Sequence, residues 1–234
     1  MKKLLLALLI SQNSYARTAD LEKINGHEGL SASAEGSMRS ESGYKNETSS
    51  YAAVYVEFKA DQLMLFGSSE HQTNKDSIGT KNRSFEHIRV RYTFMEAFLQ
   101  AESDQRISLI RSSAAGIGPY HHILNTAFYY LTVGTAYVDQ RDEFQAVANT
   151  NKRAYTYLST GVTCLGSCKL STTIQDEQDL KDKKDYRVYS ISSVRLNAAE
   201  NIGMNISYRT IFYSNATFPK KDTEMLVGAS MSFK

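Results

Sequence analysis

Residues 83–94 read RSFEHIRVRYTF, and the order of their side chains decides how the chain folds. Ile88, Val90, Tyr92 and Phe94 stand at every second position and alternate with His87, Arg89, Arg91 and Thr93. A period of two belongs to a β-strand, whose successive side chains leave opposite faces. One face here is apolar and the other carries full charges. The pattern recurs in both directions. Ala52, Val54, Val56 and Phe58 alternate with Tyr51, Ala53, Tyr55 and Glu57, and Leu30, Ala32, Ala34, Gly36 and Met38 alternate with Ser31, Ser33, Glu35, Ser37 and Arg39. Near the other end, Ile202, Met204, Ile206, Tyr208 and Phe212 oppose Asn205, Ser207 and Arg209. Met225, Val227, Ala229, Met231 and Phe233 oppose Leu226, Gly228, Ser230 and Ser232.

Continued along the chain, the alternation predicts 12 strands, over 28–40, 48–59, 62–72, 83–94, 96–103, 106–118, 125–138, 150–163, 168–176, 185–197, 201–213 and 223–233. Tight connections are expected at Ala60-Asp61, Met95-Glu96, Pro119 to Leu124, Leu165 to Ser167 and Ala198 to Glu200. Longer polar ones are expected at Glu41 to Glu47, Thr73 to Asn82, Asp139 to Asn149, Asp176 to Lys184 and Ser214 to Asp222. Short turns at one end and longer loops at the other are the habit of a closed, antiparallel, up-and-down transmembrane β-barrel. A soluble periplasmic β-sandwich that binds a ligand also alternates. The strand length, the charged wet face and the small residues on the other face favour the barrel. Ile107 and Leu109 share a parity with Arg111, which predicts a bulge or a shifted boundary in the sixth strand.

The 234 residues carry 27 Lys+Arg against 25 Asp+Glu. Lys2-Lys3, the apolar run Leu4 to Ile10 and the small residues of Ser14-Tyr15-Ala16 form a cleavable export signal. Its removal takes two of the basic residues and leaves a neutral chain, so a basic nucleic-acid-binding surface is excluded. The expected organisation is a signal peptide over 1–16, a periplasmic segment over 17–27 and a barrel over 28–234. The expected location is the bacterial outer membrane, and the expected partners are outer-membrane lipid, the barrel-assembly machinery and small solutes or ions.

Lumenal parity falls on Glu35, Arg39, Glu57, Arg89, Arg91, Gln100, Glu102, Arg187, Arg195 and Arg209. Such charges must meet water or one another. Paired across the lumen, they plug it and leave a structural, loop-displaying barrel. Lining open water, the arginines Arg89, Arg91, Arg187, Arg195 and Arg209 bias a small pore toward anions. The five histidines, His27, His71, His87, His121 and His122, lack metal-site spacing, and no nucleophile elbow is present. No catalytic residue, metal or cofactor is therefore assigned. An outer-membrane phospholipase-like enzyme stays as an alternative on strand number. His121-His122 is expected in a turn after Pro119. Cys164 and Cys168 flank Leu165-Gly166-Ser167, a hairpin-sized connection that sets the two thiols opposite each other for a disulfide, the alternative being two reduced thiols.

Three stretches, GLSASAEGSMRSESG over Gly29 to Gly43, DYRVYSISSVRL over Asp185 to Leu196 and PKKDTEMLVGASMSF over Pro219 to Phe233, carry a resemblance. The chain resembles a family of outer-membrane barrels of unknown function that includes members described as salt-induced outer membrane proteins. The resemblance implies an exported, closed barrel and no catalytic residues. In barrels of this kind the last strand ends on an aromatic that the assembly machinery reads. Gly228, Met231 and Phe233 fit that signal, with Lys234 following. Trp is absent, so Tyr92, Phe94, Tyr208 and Phe212 supply the interfacial aromatics.

Overall fold

The computed structural model describes residues 29–41, 47–75, 79–105, 109–126, 128–144, 148–164, 168–197, 202–214 and 221–233. The expected signal peptide and the 17–27 segment lie outside the described residues. Twelve strands follow in order: β1 Gly29–Glu41, β2 Glu47–Ala60, β3 Leu63–Lys75, β4 Thr80–Tyr92, β5 Met95–Asp104, β6 Leu109–Asn125, β7 Tyr129–Phe144, β8 Ala148–Cys164, β9 Cys168–Asp179, β10 Tyr186–Asn197, β11 Ile202–Tyr213 and β12 Lys221–Phe233. Each pairs antiparallel with its sequence neighbours, and β1 pairs with β12 from Ala32↔Phe233 to Ser37↔Gly228, so the sheet closes into a barrel. Closure excludes the two-sheet sandwich.

The alternation sets which face is which. Ile88, Leu99 and Tyr92 on the outer wall are 60–61% exposed, whereas Arg89 between them is 1% exposed. A water-soluble protein has the reverse arrangement. An apolar outer wall around a charged interior is stable only where the outer solvent is itself apolar. Tyr92 and Phe94 stand exposed beside the β4–β5 turn, and Phe128 and Tyr129 beside the β6–β7 turn at the same end. At the opposite end Tyr186 and Phe212 pack ring to ring, with centroids 6.2 Å apart.

The loops are shorter than the sequence predicts, because polar strand ends read as loops. Strands β3 and β4 continue to Lys75 and from Thr80, β7 and β8 continue to Phe144 and from Ala148, and β9 runs on to Asp179. Past the apolar band both faces of a strand are polar, and composition no longer separates strand from loop. The β4–β5 turn is Thr93-Phe94, two residues earlier than expected, and Met95 and Glu96 belong to β5. Asp61 and Thr93 take positive φ, 47° and 53°, in the two tightest turns. The Thr93 amide donates to Gln62 O at 3.2 Å, tying the neighbouring turns together.

Strand β6 continues through the segment expected to turn, with a register shift between His122 and Leu124. Pro119 pairs with Met95, the first residue of β5, so its missing amide hydrogen falls on the last rung of that ladder. Beyond it β6 pairs with β7 alone, and His121 and His122 are strand residues opposite Val133 and Thr132. His122 Nδ1 and Thr132 Oγ1 hydrogen-bond at 2.8 Å. The irregularity expected near Arg111 is a register shift between Leu109 and Arg111, which buries Leu109 and Ser112 and exposes Ile110 and Arg111. Ile107 lies outside the described residues.

Candidate functional site

The interior is filled by side chains that meet across it. Strand β4 and the start of β5 supply the central cluster, because the two-residue turn sets Arg91 opposite Glu96 and leaves Arg89 two positions further on, opposite Phe98. Glu96 Oε2 accepts from Arg89 Nη1 at 2.9 Å, from Arg91 Nε at 3.1 Å and from the Tyr157 hydroxyl at 2.9 Å. Arg91 Nη2 donates to the Tyr157 oxygen at 3.0 Å, across 66 residues of chain. The Arg89 guanidinium lies over the Phe98 ring, 4.8 Å from its centre, and Arg91 over Tyr120 at 4.7 Å. Arg89 Nε also donates to His87 Nε2 at 3.2 Å. His87 sits among the rings of Phe66, Phe85 and Phe98, at centroid distances of 5.9 to 6.1 Å. One carboxylate oxygen holds two guanidinia and a phenol, while Glu96 Oε1 and Arg89 Nη2 are buried without a hydrogen-bond partner. Removing one partner of such a pair typically costs about 3–5 kcal/mol.

Further groups extend the network. Arg83 pairs with Glu102 at 2.9 Å and with Asp104 at 3.4 Å. Arg209 on β11 reaches Glu70 on β3 at 3.5 Å, with three strands between them, and Tyr51 and Tyr55 share a hydrogen bond beside it at 2.9 Å. Ser112 donates to Asp142 at 2.6 Å, Gln140 donates to the same carboxylate at 3.0 Å, Tyr155 donates to Gln175 at 3.0 Å, and Gln175 contacts Glu177. Arg153 donates to Asp185 at 3.1 Å.

Large rings fit against the wall because glycine faces them. A Cβ on Gly116 would stand 2.2 Å from the Phe98 ring, its register partner, and one on Gly134 would stand 2.4 Å from the Tyr157 ring. Bare backbone at those two positions leaves room for the Phe98 and Tyr157 rings against the neighbouring strand. The void beside Glu35, Tyr51, Asn205 and Arg209 measures about 10 Å³, and the one beside Phe98, Gln140, Arg153 and Tyr155 has no room for a water molecule. The larger of the two is about the volume one water molecule needs.

The structure buries Glu35, Glu57, Arg89, Arg91, Gln100, Glu102, Arg187 and Arg209 inside the barrel and leaves Arg195 half-buried. Glu35 accepts from Asn205 at 3.4 Å. Arg39 lies on β1, and its side chain is outside those described. Sequence reasoning did not name Glu70, Glu96, Asp104, Asp142, Glu177 or Asp179, all of which are buried as well. Among the described residues the buried ionic side chains are therefore nine carboxylates and six guanidinia, so the anion bias read from arginines alone is withdrawn. Glu96 was missed because it was read as half of a turn. Extending the parity of Gln100 and Glu102 back through Phe98 reaches it.

Cys164 and Cys168 are register partners across the β8–β9 connection, with unlinked, half-buried thiols. Gly228 lies on β12 opposite Asn205, where an added Cβ would meet Gly36 O at 2.3 Å. Met231 is exposed on the outer wall, and Phe233 pairs through its backbone with Ala32. Its side chain is outside those described.

Residues 28–233 match the model of a family described as a protein of unknown function, DUF481. A comparison with curated protein sequences finds no match. Among solved structures the chain is similar to an outer membrane channel from Pseudomonas putida F1, with a TM-score of 0.57 and 8% identity over 93% of this chain and 100% of that one. It is also similar to the NanC porin, with a TM-score of 0.51 and 9% identity over 87% and 99%. At these identities the likeness concerns the fold.

Proposed function

We propose, for a chain that belongs to this family of unknown function, that it is an outer-membrane β-barrel whose lumen is plugged by its own side chains, a structural and loop-displaying barrel rather than a diffusion pore. The observation that carries this reading is the Glu96 cluster. It joins β4, β5 and β8 through the lumen, and the void next to it, beside Phe98, has no room for a water molecule. The apolar outer wall supports residence in a membrane, and the barrel fold shared with outer-membrane channels and porins supports the outer one. Export by the N-terminal signal, assembly through the last strand and the absence of enzymatic activity belong to the same reading. So does a place in the salt-induced branch of the resembled family, tested by immunoblots of cells shifted to high salt.

A narrow channel is the second reading, favoured by the polar character of the interior. Planar-bilayer recordings of the refolded protein separate the two. The plugged barrel gives no steps above the bare-membrane baseline. Steady, reproducible single-channel steps from the wild-type chain overturn the plug. Fractionation with the outer membrane and a shift in gel mobility on boiling are expected in either case, and recovery as a soluble monomer defeats both.

A further inference from the structure

The charges inside the barrel are unevenly spread. Near the β8–β9 turn the wall carries a row of four register partners, Thr163, Lys169, Arg195 and Asn205, on β8 to β11. Lys169 shares the parity of buried Thr173, Gln175 and Glu177, and Arg195 that of buried Tyr189, Ile191 and Ser193, so both side chains leave the inner face. An ammonium and a guanidinium therefore stand directly opposite each other on adjacent strands, an arrangement that repels. No carboxylate lies in that row or in the next one inward, Gly161, Ser171, Ser193 and Ser207. Further round the wall, Glu35 is engaged by Asn205 at 3.4 Å. Arg195 takes part in none of the ion pairs among the described residues.

The surroundings fix the two cations in place. Tyr130 pairs with Gly161, where an added Cβ would stand 2.2 Å from the ring, so the ring lies against bare β8 backbone. Lys169 Nζ lies 5.6 Å from the centre of that ring. One step further in, Ser171 and Ser193 hydrogen-bond at 2.6 Å and Ser159 and Thr173 at 2.9 Å, which closes the floor with hydroxyls. Ser159 and Thr173 are fully buried, whereas Thr163, Lys169 and Arg195 are half-buried and reached by solvent at this mouth. We infer that Lys169 and Arg195 form a seat for a tetrahedral dianion of the sulfate or phosphate class, which bridges them and turns their repulsion into a shared contact. Two fixed positive charges match two negative ones, and a guanidinium fork with an ammonium beside it suits such oxygens. The Thr163 hydroxyl, next in the row, adds a neutral donor. The local excess is opposite in sign to that of the buried interior, where carboxylates outnumber guanidinia. The tight-turn mouth faces the periplasm in the membrane reading above, and only this address of the seat rests on that reading.

The test titrates detergent-purified protein, checked first for the boiling shift in gel mobility, with sodium sulfate at fixed ionic strength in a calorimeter. The wild type binds sulfate, and Lys169→Gln and Arg195→Gln each bind it roughly tenfold more weakly, the scale of a charged hydrogen bond. Lys183→Gln, in the β9–β10 connection at the opposite end, leaves binding unchanged. In sulfate-free buffer of low ionic strength Arg195→Gln raises the urea midpoint of unfolding, because it relieves the repulsion, and sulfate cancels that gain. Inorganic phosphate and glycerol 3-phosphate, compared with sulfate, tell a free ion from a terminal ester, and binding of either supports the seat. Sulfate binding that both variants keep in full overturns it, as does nitrate competing equally with sulfate. A midpoint that falls in sulfate-free Arg195→Gln overturns the repulsive pair. Protein that is soluble without detergent overturns the membrane reading and leaves the anion titration to decide the seat.

Discussion

Two stretches of the barrel wall fill the interior with different mixtures of side chains. From β3 to β8 the interior carries Phe66, Phe85, Phe98, Tyr120, Tyr155 and Tyr157 together with Arg89, Arg91 and Glu96. From β9 round to β1 small polar groups stand among longer ones such as Gln175, Glu177, Arg187, Tyr189 and Arg209. Thr173, Ser193, Ser207 and Ser33 are buried there, with Ser171 and Ser193 bonded at 2.6 Å and Asn205 donating to Ser207 at 3.1 Å. Short side chains set among long ones allow a closed sheet to fill without overpacking. The outer surfaces differ too. Strand β11 is apolar outward at Ile202, Met204, Tyr208 and Phe212, while β7 and β8 turn Asp139, Arg141, Thr150 and Lys152 outward above the apolar band. The aromatic-rich stretch is also the one whose longest strands carry polar outer ends.

The comparison is broken most severely at Glu96. Glu96→Ala strands Arg89 and Arg91 in a buried site, and the barrel is expected to lose about 3–5 kcal/mol. Ser193→Ala, at a small polar position of the β9-to-β1 stretch, is expected to lose about 1 kcal/mol or less. Urea midpoints of unfolding in detergent, read from the unboiled gel band, compare the two. Equal shifts would remove the distinction between the two stretches. Next in size is Gly134→Val, which drives two methyl groups into the Tyr157 ring. A cost of about 1–3 kcal/mol is expected from overpacking, together with a lower yield of folded barrel. Gly36→Ala, whose Cβ would meet only Tyr51 O at 3.8 Å, serves as the tolerant control.

A third test sharpens the account of the interior. If the double change Arg89→Ala, Arg91→Ala opens a conducting path, its current should favour cations, because carboxylates outnumber guanidinia among the buried described residues. Reversal potentials in a salt gradient measure this. Anion preference in that variant would restore the pore reading drawn from arginines. The smallest effect is expected at the β8–β9 connection. Cys164 and Cys168 face each other as register partners, and an oxidising envelope should link them. Alkylation without reductant followed by mass spectrometry should find neither thiol labelled. Because the bridge closes a very short loop, the double change to Ser should shift the unfolding midpoint little.

Much of this molecule could be read from the chain alone, for a local reason. The period of two assigns each side chain to a wall wherever the ladder is regular, so Arg89, Arg91 and Arg209 were placed inward and Ile88, Val90 and Met204 outward without any knowledge of their neighbours. Twelve strands follow from the same period. It lost its power where both faces turn polar, as at Thr73 to Lys75 and Asp139 to Phe144, and where a hairpin is so tight that a strand residue such as Glu96 looks like a turn.

What the chain alone did not decide is which inward side chains meet. The partners of Glu96 come from β4 and β8, and Arg209 finds Glu70 only because β1 pairs with β12. Those contacts depend on closure and on the accumulated stagger of every ladder between them, quantities that no window of sequence contains. The row of Lys169 and Arg195 has the same origin. Tyr130, Lys169 and Arg195 lie on three different strands, and only the register brings them to one place on the wall. Parity is written in the backbone of a single strand, whereas pairing across the lumen belongs to the closed sheet as a whole.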